Sequence, residues 1–407
     1  MTGTMMSLEM LVIALLALEL TDSPFLVSIT FFLRFLPMLF GFGLGVLAER
    51  LNRKHLMAGG LAVQATVSAA LAFLTISDLI QYWHLALGSF LIGAVMASEF
   101  PVRRTMIGEV VSRSNVGRAI SLEQTTNSLF RILGPFIGGV FLSTIGAQGG
   151  FLLGVVLYSV ALVVALSMKY SRPTASDHLA RPKTQVIEGI RYIRRSQVMI
   201  GTLGVTLIIN VFGFSYMSQQ PIVAKQVLMV SDVLIGVMQS VEGAGAFIGA
   251  ALIAVFARPR HYTRIYMWGS VLYLISIIIF SQSETYWVTL IILFFGGIGM
   301  SGFATMQSAI MIYAASPAMR ARVMGSVAMF IGLGPIGQIN IGLLADLIDP
   351  RTAILITGGI GLFTVMVAGI MIPILRSSRA MELDREQRLA KAADLREGDA
   401  SGVSGSG

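Results

Sequence analysis

Long apolar runs, each near the thickness of a bilayer, alternate with short polar loops along this chain. A membrane-crossing helix needs about 20 predominantly apolar residues. Runs of that kind lie near residues 3–20, 24–48, 56–77, 83–100, 119–144 and 149–169. A second set lies near 198–220, 233–257, 265–282, 287–314, 322–345 and 352–375. Lipid cannot hydrogen-bond the backbone, so each run must be a helix or a strand of a closed barrel. Barrel strands would alternate apolar and polar residues over short segments, and these runs do not. The pattern predicts an all-α membrane protein of twelve transmembrane helices.

The polar stretches divide the chain further. They predict a six-helix bundle over residues 1–170, a linker at 171–196, a second six-helix bundle over 197–376, and a charged, then Gly/Ser-rich tail at 377–407. Within the linker, Val186, Ile190 and Ile193 share one helical face, away from Arg191, Arg194 and Arg195. That spacing predicts an amphipathic helix resting on anionic headgroups. An internal echo supports two similar halves: Gly134-Pro135-Phe136-Ile137-Gly138 recurs as Gly334-Pro335-Ile336-Gly337-Gln338. Transporters are often built from such repeats, with the substrate between them near the midplane.

Charge gives the orientation. Of the 29 Lys and Arg, 25 fall in alternate loops, in the linker and in the tail. The intervening loops hold only Lys225 and Arg351, and the last two, Arg34 and Arg131, lie inside spans. Basic residues mark the cytoplasmic side, so both termini are expected in the cytoplasm of a plasma-membrane protein. The net charge of +8 is thereby explained by loops, and no nucleic-acid partner is expected.

Composition agrees. Hydrophobic residues make up 55% of the chain and charged residues 12%, with a mean hydropathy of +0.79; soluble domains carry about twice that charge. There is no cysteine, which removes disulfides and thiolate metal sites. His55, His84, His178 and His261 stand at span ends or in loops, and neither His-Glu-x-x-His nor Gly-x-Ser-x-Gly occurs. No enzyme, metal or cofactor is expected. No basic segment precedes the first apolar run, so a cleaved signal peptide is not expected either.

Four charges fall near mid-bilayer by depth: Glu9, Arg34, Arg131 and Glu242. A lone charge there costs at least about 2.5 kcal/mol, which predicts pairing. Two readings stand for the acids: proton carriers with carboxyls poised by apolar surroundings, or members of structural salt bridges. Small residues that let helices approach closely mark four spans: Gly41-x-x-x-Gly45, Gly134-x-x-x-Gly138 beside Gly139, Gly245-x-x-x-Gly249, and Gly332, Gly334 and Gly337. Pro135 and Pro335 each remove a backbone donor inside a span and are expected to bend it.

The segment Gly45-Val-Leu-Ala-Glu49-Arg50-Leu-Asn52-Arg53-Lys54 resembles the loop signature of the major facilitator superfamily between helices 2 and 3, with Glu49 for the usual Asp and Asn52 for the usual Gly. Gly134-Pro135-Phe136-Ile137-Gly138-Gly139 is similar to the helix-5 motif of that superfamily's proton-coupled antiporters. Leu20-Thr21-Asp22-Ser23-Pro24, Leu33-Arg34-Phe35-Leu36-Pro37, Pro101-Val102-Arg103-Arg104 and Phe130-Arg131-Ile132-Leu133-Gly134-Pro135 resemble an efflux branch that includes the enterobactin exporter and macrolide efflux proteins. Two departures stand out. Residues 85–98 carry no Arg, which removes one relay element of drug antiporters. The first span also starts almost at Met1, where relatives begin earlier, so a short helix 1 is expected.

The resemblance implies that helix 2 faces helix 11 and helix 5 faces helix 8, making the glycine spans surfaces on which the halves move. It implies pairs of Glu9 with Arg34 and of Arg131 with Glu242. It implies a cytoplasmic gate of Gly45, Glu49, Arg50, Arg53 and Lys54, with Glu99, Arg103, Arg104 and Glu123 as a nearby cluster. It places Asn210, Phe212, Phe214, Tyr216, Phe303, Met306 and Gln307 along the substrate cavity. The function implied is proton-coupled efflux of a lipophilic or amphipathic small molecule by a monomer surrounded by membrane lipids; a lipid or lysophospholipid translocator is the alternative.

Overall fold

A computed structural model describes residues 2–40, 53–110, 116–168, 191–316 and 319–373. Among these residues every regular element is helical. The first group is α1 (Thr2–Thr21), α2 (Pro24–Phe35, continued by a 3₁₀ turn at Leu36–Phe40), α3 (Arg53–Ile76), α4 (Tyr82–Val110), α5 (Val116–Ile145) and α6 (Ala147–Ser167). The second is α7 (Gln197–Ile208), α8 (Gln220–Gln226), α9 (Asp232–Phe256), α10 (Tyr262–Gln282), α11 (Tyr286–Ala314), α12 (Arg320–Ile331), α13 (Pro335–Leu347) and α14 (Pro350–Met371). Eight helical stretches of the described residues are long and apolar enough to cross a membrane. Two of the eight, Gln197–Gln226 and Val323–Leu347, are interrupted.

The boundaries follow local chemistry. Ser23 caps α2 by accepting from the Leu26 amide, and Asp349 caps α14 by accepting from the Thr352 amide. Gly146 links α5 to α6 alone, at φ +83°, a conformation that suits glycine. The sequence pattern ended the fourth span at 100, yet α4 runs on through Pro101 to Val110. The bend expected at Pro335 is a break instead. Backbone hydrogen bonds tighten to three-residue spacing through Gly332–Gly337, and Pro335 opens α13 where its missing donor is harmless.

Two apolar cores organise the molecule. One draws on α1–α6 and reaches Ile222 of α8. The other draws on residues 193–365 and reaches back to Leu11 and Leu15 of α1. α1 is therefore a central helix, buried from Leu11 to Leu18, which is why its apolar residues lie all round it. The two groups also meet where α5 packs on α9 and where α2 packs on α13. Of the linker helix expected at 184–196, only its end is among the described residues. There Ile193 belongs to the protein core, and the Ser316 amide donates to the Tyr192 hydroxyl at 3.0 Å. Arg191, Arg194 and Arg195 of this end are exposed.

Candidate functional site

Three helices converge on Glu9 of α1. From α2, Arg34 Nη2 reaches Glu9 Oε2 at 3.2 Å. From α3, the Ser68 hydroxyl donates to Glu9 Oε1 at 3.0 Å. From α6, the Tyr158 hydroxyl donates to Oε2 at 3.0 Å. Glu9 is 1% exposed and Arg34 2%. Such a pair holds only if its remaining valences are also met, and Ser68 and Tyr158 meet those of the carboxylate. Arg34 keeps its Nε and Nη1 without a hydrogen-bond partner. The close approach of helices is made by small residues: a Cβ at Gly154 would meet Met5 and Ser68, and one at Gly93 would strike the Arg34 carbonyl.

Sequence reasoning missed Ser68 and Tyr158. A signal existed for the first. Gln64 and Ser68 stand four apart on an otherwise apolar helix, so one polar stripe faces inward. Both are buried.

A second acid lies in the other group. Glu242 of α9 is 6% exposed. It accepts from the Tyr216 hydroxyl at 2.6 Å and from Gln220 Nε2 at 3.4 Å. Tyr216 lies within the interruption between α7 and α8 and Gln220 opens α8; across the interruption the chain passes through a π turn (Ile209–Gly213) and a 3₁₀ turn (Phe214–Ser218). π segments often accompany functional sites. The Arg131 side chain expected opposite Glu242 lies outside the described residues.

The same interruption touches α2. Gln219 Nε2 donates to Ser28 Oγ at 2.7 Å and to the Pro24 carbonyl at 3.3 Å, and the Ser28 and Ser218 hydroxyls lie 3.0 Å apart. A Cβ at Gly342 of α13 would meet Ser28 from the other side. Ser23 Oγ donates to Asp346 at 2.8 Å across the same end. These contacts tie the two groups with one carboxylate and otherwise uncharged groups.

Some of the glycines fall where expected and others do not: Gly332, for one, faces Leu39 of the first group. Gly139 sits against the Asp232 carbonyl and Gly236 against the Pro135 carbonyl, so the α5–α9 contact is a true small-residue seam between the groups. Gly138, however, faces Leu8 of α1. Gly245 and Gly249 face Phe294, Ile298 and Ser301 of α11, so they pack their own group rather than the first. Gly334 and Gly337 face Asn210 and Val211, again inside their own group. The spacing singled out sticky helices correctly but could not say which of several faces each glycine serves. Gly45, Glu49 and Arg50 lie outside the described residues, as do the side chains of Arg53, Arg103, Arg104, Glu123 and Arg131. Lys54 Nζ donates to the Met168 carbonyl at 2.7 Å, and Glu99 is half-buried.

Five of the seven residues expected along the cavity are buried in this structure. Asn210, Tyr216, Phe303, Met306 and Gln307 are buried. Phe303 stacks on Tyr266 at 5.5 Å and meets Phe214 edge-on at 5.9 Å. Gln307 Nε2 donates to Thr206 Oγ1 at 2.7 Å, and Asn210 Nδ2 to the Thr206 carbonyl at 2.8 Å. Phe212 lies beside them, and a Cβ at Gly361 would meet it. Phe212 and Phe214 are half-buried and keep part of their surface open. No group of three or more His, Asp or Glu that could hold a metal ion occurs among the described residues.

A family described as transmembrane secretion effectors matches residues 2–399. The staphyloferrin A transporter of Staphylococcus aureus (strain NCTC 8325 / PS 47) is 22% identical over 310 residues, 74% of this chain and 76% of the relative. Macrolide efflux protein A of Streptococcus pyogenes is 21% identical over 380 residues, 90% and 91% of the two. A bacterial homolog of the human lysosomal transporter Spinster, solved inward-facing and unoccupied, shares the fold. Its TM-score is 0.61 at 14% identity, over 94% of this chain and 96% of the other.

Proposed function

Since the chain belongs to the transmembrane secretion effectors of the major facilitator superfamily, we propose that it exports a lipophilic or amphipathic small molecule in exchange for protons. It is a membrane transporter and not an enzyme. In the proposed arrangement α7 with α8, and α12 with α13, count as single broken spans, giving twelve in two six-helix bundles. The bundles occupy residues 1–170 and 197–376, with both termini cytoplasmic.

The observation that carries the reading is the Glu9 network. A carboxylate 1% exposed, paired with one arginine and held by two hydroxyls, sits where four spans meet. Protonating Glu9 removes its attraction for Arg34 and frees α1 from α2. That change suits a carrier that must alternate between two packings, because packed cores switch between discrete arrangements. Glu242 is a second buried acid, held by Tyr216 and Gln220 at the broken helix. The macrolide efflux relative supports outward transport of a small molecule.

Proteoliposomes with an imposed pH gradient and a panel of lipophilic substrates test this. Gradient-driven transport by the wild type and its loss in Glu9→Gln are expected. Full transport with the gradient collapsed would sink the proposal.

A further inference from the structure

Gly60, Gln64 and Ser68 stand four residues apart on α3 and so share one face. Ser68 ends this stripe at Glu9 Oε1. Gln64, one turn back, is 4% exposed, and its Oε1 has no hydrogen-bond partner. Gly60, a further turn back, lines a small pocket between α3 and α4 with Leu56, Met57, Val95, Ser98 and Glu99. The pocket's volume of about 10 Å³ gives room for about one water. Glu99 is the ionisable group in its lining. A wider groove shares Leu56, Gly60, Val95 and Ser98 with it and opens on the surface as far as His55. On the other oxygen of Glu9, the Tyr158 hydroxyl lies within electrostatic reach of Glu99.

We propose that Glu99 is the relay through which Glu9 gains and loses its proton, over waters that follow the Gln64 side of α3 to Ser68. The proposal rests on the proton-coupled reading above and deepens it. Glu9 is 1% exposed and is walled by Arg34, Ser68 and Tyr158. Arg34 cannot pass a proton on, because a guanidinium keeps all of its own. A hydroxyl can, since it donates one proton and accepts another. Ser68 gives its hydroxyl proton to Glu9 Oε1 and takes a new one from the water behind it. That water is restored in turn by the proton that leaves Glu99, so each O–H bond broken is matched by one formed. A buried amide oxygen without a donor is costly, and a water held on Gln64 Oε1 meets that need at the middle of the route. The charged and titratable groups around Glu99 are His55 of α3 at the surface end of the groove, Tyr158 of α6 inward of it, and Glu9 and Arg34 beyond Tyr158. Lys54 is held on the Met168 carbonyl, and Arg103 and Arg104 follow on Glu99's own helix. The side served is the one at which α3 begins, cytoplasmic in the orientation proposed above.

Infrared spectroscopy of the full chain in phosphatidylcholine liposomes after a pH jump tests the relay. The protonated-carboxyl band that disappears in Glu9→Gln reports Glu9, and its growth gives the rate of proton delivery. Glu99→Gln should slow that growth about a hundredfold, the low end of what a placed acid–base group contributes to a proton transfer. Glu99→Asp keeps an exchangeable proton and should restore most of the rate. Gln64→Leu removes no charge, so it should slow the band without moving the pH at which it is half-formed; a merely structural role would move that pH and not the rate. Thr66→Ala, on the exposed face of α3, should change neither. An unchanged rate in Glu99→Gln, or in Gln64→Leu where Glu99→Gln does not fold, overturns the relay. A wild type with no such band at any pH at which it stays folded overturns both the relay and the proton-coupled reading. Proton delivery through Glu99 in a protein whose transport ignores the gradient would leave the relay standing and count against the proposed function alone.

Discussion

Tyr216 and Glu242 are joined by the hydroxyl-to-carboxylate hydrogen bond of 2.6 Å, and Tyr216 lies three residues before the glutamine that holds α2. One short, irregular stretch, Phe214–Ser218 and the residues after it, thus touches the buried acid on one side and the contact between the two groups on the other. A strained or irregular helix segment absorbs backbone change more readily than a regular one. Whatever alters Glu242 is therefore expected to loosen Gln219 from Ser28.

The chain has no cysteine, which makes this testable by labelling. Ser28→Cys should react slowly with a membrane-impermeant maleimide, since Ser28 is fully buried. Adding Gln219→Leu should raise the labelling rate about tenfold, as loss of a buried hydrogen bond of about 1.4 kcal/mol would. Adding Tyr216→Phe should raise it as well, although Tyr216 touches neither Ser28 nor Pro24 by hydrogen bond. No change with Tyr216→Phe would separate Glu242 from the contact.

The Glu9–Arg34 pair predicts an asymmetric mutant series. Glu9→Ala leaves a buried guanidinium without its counter-charge and should cost about 3–5 kcal/mol. Glu9→Gln retains acceptor oxygen and shape and should cost less. Glu9→Ala with Arg34→Met removes both charges and should recover most of the stability but none of the gradient-driven transport. Thermal unfolding in detergent reads the first effect and proteoliposomes the second. Equal stability of Glu9→Ala and the double variant would show that the pair is not energetically coupled.

The all-helical character, and eight stretches long and apolar enough to cross a membrane among the described residues, were legible because twenty apolar residues in lipid have few alternatives. That Glu9 would be paired followed from depth, and Arg34 as its partner from the family resemblance. What sequence could not give is direction around a helix. Gly245 and Gly249 read as a surface between halves, yet they serve α11. Phe303 and Gln307 read as cavity lining, yet their neighbours Tyr266 and Thr206 close over them. Every face of a central membrane helix is apolar or small, so periodicity carries no signal there. Tyr158 was hidden for the same reason: an aromatic residue in a lipid-compatible span looks like any other until α1 is placed against it.

Asp349 offers a test outside the spans. It caps α14 through the Thr352 amide at 3.0 Å. Slight burial raises its carboxyl pKa, but the hydrogen bonds from Thr352 and Arg351 and the Arg351 charge outweigh this and hold it below the usual 3.8. A depressed folded value means the stabilisation is present above 3.8 and is lost as pH falls through the folded value. Asp349→Ala should cost about 1 kcal/mol at neutral pH. The difference in unfolding temperature between wild type and variant should shrink below about pH 4. A constant difference from pH 7 to pH 3 would contradict the assignment.

The seam between α5 and α9 gives the last prediction. At Gly139 an added Cβ would stand 2.5 Å from the Asp232 carbonyl oxygen, and at Gly236 one would strike the Pro135 carbonyl. The obstacles are backbone atoms of helices, which cannot rotate away as a side-chain tip can. Gly139→Ala and Gly236→Ala must therefore push α5 and α9 apart, at about 1–3 kcal/mol each. Gly204→Ala lies inside α7 and its Cβ would meet nothing within 4 Å. It gains helix propensity instead and should be neutral or stabilising by up to about 1 kcal/mol. Because the two seam glycines share one interface, their effects should not add: once the helices are apart, the second methyl has room. A double variant destabilised by the full sum, measured by thermal unfolding, would mean that each glycine relieves a separate clash and that the two helices do not move as one surface.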